Sequence, residues 1–184
     1  MNVLKFLYNN IETHVEFKNI SITIIKSLSS FSSCYINLIF EFKHLLSKLF
    51  IKSILEPEFQ VKTIEKTMKI FFYKLRCDVI LILCNLTANS NIAQIKELMD
   101  GGILEIFLHF LAEKNFIYLE KLISSCEIIL KWGDHLKREE NQIENIYKKN
   151  FEELNGVQTL MCLLSKNVTI NVSQQLSRIL NDYF

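Results

Sequence analysis

The chain has 184 residues, of which 49% are hydrophobic and 22% charged, and its 21 basic and 20 acidic side chains leave a net charge of +1. That length buries a sizeable core as one domain or a short array of repeats, and the near-neutral balance excludes a global basic field of the kind that binds nucleic acid. With 4 glycines and 1 proline, turn-forming residues are scarce, which argues against a many-stranded sheet and favours helices.

The opening segment, MNVLKFLYNN, has a very short apolar run and no Lys/Arg cluster, so it reads as no secretory signal. Val3, Leu4 and Leu7 are spaced for one helical turn. In residues 19–30, Ile20, Ile24, Ile25 and Leu28 fit the 3.6-residue period better than strict alternation. The most apolar region, Ile20 to Phe40, is broken by Lys26 and a serine cluster, and no run reaches ~18 uncharged apolar residues, so no membrane span is expected. Glu56-Pro57-Glu58 interrupts the chain, because the residue before a proline resists helix. A long helix is predicted from about Gln60 to Leu86, with a bend near Arg76.

The stretch Asp78 to Phe110, DVILILCNLTANSNIAQIKELMDGGILEIFLHF, sets the pattern for the C-terminal half of the chain. An apolar helix runs into Asn85-Leu86-Thr87, and a polar break succeeds it over Ala88–Asn91. Ile92, Ile95, Leu98 and Met99 make one face of a short helix that Gly101-Gly102 ends, glycine supplying left-handed or close-packed backbone. Ile103, Ile106, Phe107, Phe110 and Leu111 form the next face; Leu119, Leu122, Ile123, Cys126, Ile129 and Leu130 recur at helical spacing up to Trp132-Gly133. Trp132 reads as a large ring closing the apolar layer at a helix end. The charged run His135 to Asn145 reads as a solvated loop and the approach to the next helix. Ile143, Ile146, Tyr147, Phe151 and Leu154 then restore the period.

The figure repeats. Shifted by 53–54 residues, Gly156-Val157 falls under Gly102-Ile103, and Val172, Leu176, Ile179 and Leu180 fall under Leu119, Ile123, Cys126 and Glu127. A fainter echo at 58 residues sets Ser27-Leu28-Ser29 under Asn85-Leu86-Thr87. One such unit cannot bury its own apolar face, so neighbouring units share a core. The expected division is degenerate helices over 1–58, a repeat over 59–137 and a closing repeat over 138–184. Ile103, Phe107, Phe110, Leu119, Ile123, Leu160, Leu164, Leu176 and Leu180 are the expected core.

Catalytic and metal signatures are missing from the sequence. The five cysteines, Cys34, Cys77, Cys84, Cys126 and Cys162, include no C-x-x-C pair, and mostly sit among apolar residues, as buried free thiols do. His14, His44, His109 and His135 lie far apart, and His109 has no second ligand nearby in sequence. Glu139-Glu140 and Glu152-Glu153 are adjacent pairs, which on a helix do not face each other. No P-loop, G-x-G-x-x-G, G-x-S-x-G or H-E-x-x-H occurs. No enzyme, cofactor or metal site is expected.

Long helix, sharp turn, short helix, glycine pair, helix is the grammar of an armadillo repeat, and the fold expected is an all-α, armadillo-type right-handed α-solenoid. From about Arg76 to the end the chain resembles the last repeats of the importin-alpha family, the armadillo adaptors that carry nuclear localisation signals. The resemblance rests on ILCNLTANSNIAQIKELMDGGILEIFLHFL, CEIILKWGDHLKRE and FEELNGVQTLMCLLSKNVTINVSQQLSRILNDYF. In that family the third helix of each repeat presents an acid, a Trp three residues later and an Asn four residues after that. The Asn amide bonds the backbone of an extended basic peptide, Trp faces flank its lysine stems, and the acid pairs with the charge.

Carried over residue by residue, Asp78 matches the acid and Asn85 the Asn, while Leu81 stands where the Trp belongs. In the preceding echo the three places hold Ile20, Thr23 and Ser27; in the repeat after, Glu127 holds the Asn place. The resemblance implies a nuclear-import adaptor, or a reduced C-terminal portion of one, in cytoplasm and nucleus. Its partners would be basic localisation signals, transport carriers and nuclear-pore factors, with no nucleic acid and no membrane. The alternative is an armadillo scaffold for other proteins, without a transport role.

Overall fold

The structure, a computed structural model, describes Thr23 and residues 66–113 and 117–184, the side chains of 66–76 excepted. Apart from Thr23, which is helical and exposed, the expectations for 1–58 lie outside these residues. The described residues are all-helical, with no strand among them. They form α1 (Lys66–Asn89), α2 (Ile92–Asp100), α3 (Ile103–Ala112), α4 (Leu119–Glu139), α5 (Ile146–Glu153), α6 (Gly156–Leu164) and α7 (Ile170–Tyr183). The chain divides into two compact units, 1–89 and 90–184. The first contains α1. The second is built of α2–α7.

In the second unit two helix triplets succeed one another. Within them α3 packs on α2 and α4, and α6 on α5 and α7. Between them like lies on like, α6 on α3 and α7 on α4, with α5 also against α4. Local chemistry fixes where the helices start. Asn91 caps α2 through a reciprocal box, its Oδ1 accepting from Gln94 N–H at 3.0 Å and Gln94 Oε1 accepting from Asn91 N–H at 3.0 Å. Gly102 precedes α3 with φ 77° and Asn155 precedes α6 with φ 59°, both left-handed. Asn is one of the few side chains that tolerates that conformation.

The register of the repeat is therefore 53 in these helices. Asn155, not Gly156, takes the place of Gly102, and Gly156 opens α6 where Ile103 opens α3. Gly156 is kept small for a different reason: a Cβ there would overlap the Phe151 ring.

Ile103, Phe107, Phe110, Ile123, Leu160 and Leu176 are buried as expected; Leu119, Leu164 and Leu180 are only half-buried. In α3 the burial is wider than one stripe: Leu104 and Leu108 are also buried, while Ile106 is half-exposed. A helix with neighbours on two sides buries two stripes, which a single-face reading misses.

Three expectations around the second triplet are corrected. The helix does not end at Trp132-Gly133: α4 runs on to Glu139, so the charged run begins inside it. Trp132 is a half-buried side chain within the helix rather than at its end, edge-on to the His135 ring at 5.4 Å. Ile143 and Ile146 belong to no core, at 96% and 44% exposed, and α5 buries only Tyr147 and Phe151.

The cause is a polar joint. Asn145, 5% exposed, caps α5, its Oδ1 accepting from Tyr147 N–H and Lys148 N–H at 3.0 Å each. Its amide donates to Leu130 O and to Asp134 Oδ1, both at 2.9 Å. The carboxamide lies directly on Gly133, where a Cβ would collide with it. The turn that holds Ile143 and Ile146 is set by this anchor rather than by apolar periodicity.

Replacing Phe107, which has no exposed surface, by Ala is expected to lower the unfolding free energy by about 3–5 kcal/mol in a urea titration. A loss below ~1 kcal/mol would mean that its face is not packed. Gly133→Ala, which in an open helix would gain about 1 kcal/mol, is expected instead to cost about 1–3 kcal/mol through overpacking. Combined with Asn145→Ala, the Gly133→Ala penalty should vanish, a non-additivity that denaturation midpoints read directly.

Candidate functional site

Asp78, Leu81 and Asn85 lie on two successive turns of α1. Asp78 and Asn85 are half-buried, and the residues between them, Val79 to Cys84, are all buried. Leu81 itself is 9% exposed, an aliphatic side chain turned into packing. The Asn85 carbonyl accepts the Asn89 Nδ2–H at 2.8 Å. The acid and the amide thus sit seven residues apart on one side of a helix, the spacing that lets both face one extended ligand.

The same spacing occurs on α4 as Glu120, Ile123 and Glu127. Here the arrangement is closed. Ile123 has no exposed surface. Glu127, 6% exposed, takes Arg178 Nη2 on its Oε2 at 2.6 Å and Lys131 Nζ on its Oε1 at 2.7 Å. Two further rungs join α4 to α7: Gln175 Nε2 donates to Ser124 Oγ at 3.2 Å, and Thr169 Oγ1 donates to Glu120 Oε1 at 3.4 Å. Glu120, Ser124 and Glu127 succeed one another by a turn each, so a polar edge of α4 meets α7 and its N-cap, with Glu120 still exposed.

Burial pushes the Glu127 carboxyl upward, but the hydrogen bonds and charges of Lys131 and Arg178 outweigh it and hold the group below its ordinary range. The Glu127 carboxylate thus stands between two cations. Sequence reasoning noted Glu127 and missed Arg178, Ser124, Gln175 and Thr169. The available signal was a polar edge at i, i+4 and i+7 along an otherwise apolar helix.

Two hollows flank this edge. One of about 870 Å³ lies between the starts of α4 and α7, against Tyr118, Leu119, Leu163, Val168 and Val172. A smaller one of about 320 Å³ lies near their other ends, where Asp134, Glu152 and Asp182 stand opposite Lys137, Lys148 and Lys149. With Glu144 the second carries four carboxylates against three lysines. Tyr183 at its edge has its phenol pushed up to about 12 by burial and by Asp134. Among the described residues no group of three His, Cys, Asp or Glu side chains could hold a metal ion. His109, exposed, reaches Glu113 at 3.8 Å and meets Phe110 edge-on. No described helix is long and apolar enough to cross a membrane.

A carboxyl whose folded pKa is depressed stabilises the fold above its unfolded value, and that contribution is lost as pH falls through the folded pKa. Thermal stability is therefore expected to decline on acidification below the ordinary Glu127 value of 4.5, and Glu127→Gln should flatten that decline in scans from neutral pH downward. Arg178→Ala should cost about 1–2 kcal/mol at pH 7, discounted for the half-exposed guanidinium.

No protein-family model matches this chain, and no curated protein matches it in sequence.

Proposed function

We propose that the chain is an armadillo-type α-solenoid and works as an adaptor of the importin-alpha kind, or a reduced form of one. The observation that carries this reading is the recurrence of a three-helix unit with α6 lying on α3 and α7 on α4. Like-on-like stacking of short helical units is how solenoids build extended binding surfaces. On that reading α1, α4 and α7 are the third helices of successive repeats, and Asp78 and Asn85 form the one remaining element of a groove for basic peptides. Transport carriers and nuclear-pore factors are its further partners, in cytoplasm and nucleus.

Basic-peptide binding is weak on this reading. Leu81 removes one wall of the lysine slot, and loss of a cation–π wall costs on the order of 0.5–2 kcal/mol. The next repeat offers no second slot, because Glu127 is committed to Lys131 and Arg178.

A second reading, a scaffold for other protein ligands with no transport role, is favoured by that same closed edge. Titration of a lysine-rich localisation peptide separates the two. The adaptor reading expects weak binding by the wild type, a gain of about 2- to 30-fold for Leu81→Trp, and loss of that gain when Asn85 is also changed to Ala. Circular dichroism should accompany the titration, since Trp is larger than the buried Leu81. Tight wild-type binding that Asn85→Ala leaves intact would put the ligand elsewhere, and the scaffold reading would replace the adaptor reading.

A further inference from the structure

We draw no further inference here: the strongest candidate, the apolar hollow of about 870 Å³ between the starts of α4 and α7, carries none, because Glu113 and Glu120 on its rim balance Lys121 and Lys166 and nothing in the structure shows what covers it.

Discussion

The second unit depends on one carboxamide. Asn145 uses both amide hydrogens and both carbonyl lone pairs, on Leu130, Asp134, Tyr147 and Lys148. A buried polar group is costly unless every bond it can make is made, and one that is fully satisfied specifies geometry strongly. The amide ties α5 to the backbone of α4, and the bare Cα of Gly133 lets it approach so closely. That attachment sets where α5 starts. Phe151 on α5 in turn packs on Gly156, which starts α6, and α6 leads to α7. Position passes along the triplet from a hydrogen-bonded anchor through aromatic contact.

Further contacts brace the triplets without setting their placement. Lys96 on α2 reaches Glu140, just past α4, at 3.0 Å, an exposed pair that adds little by itself. The Glu127–Arg178 pair is different because its acid is buried, and with Arg178 removed the carboxylate would keep Lys131 as its one remaining cationic partner. The apolar contribution lies beneath, in the fully buried Phe107, Leu122, Ile123, Leu130 and Leu176.

The helical class and most of the inner stripe were legible in the sequence, because 3.6-residue periodicity reports burial of one face. Phe107, Phe110, Ile123 and Leu176 fall out of that pattern directly. The second stripe of α3 did not, since burial on two sides erases the polar face that makes a helix amphipathic. The extent of α4 was hidden as well. Lys131, Asp134, His135, Lys137, Arg138 and Glu139 read as solvent-loving, and solvated helix and solvated loop have the same composition.

Asn145 escaped because its role depends on Gly133, twelve residues earlier and reached only through the tertiary fold. For the candidate site the spacing of Asp78 and Asn85 was readable. The closure of the α4 edge by Arg178 was not, for pairing across a fold leaves no local periodic trace.

The caps of α2 and α5 differ in what they hold together. Both helices begin after an asparagine. Asn91 is exposed and exchanges its bonds with Gln94, close by on the same helix. Asn145 is buried and bonds the preceding long helix. α4 runs on past Glu127 to Glu139, and its last turns bear Gly133 and Asp134. They make the α5 cap a fastener between helices, and deleting them would leave Asn145 capping its own helix alone, as Asn91 does.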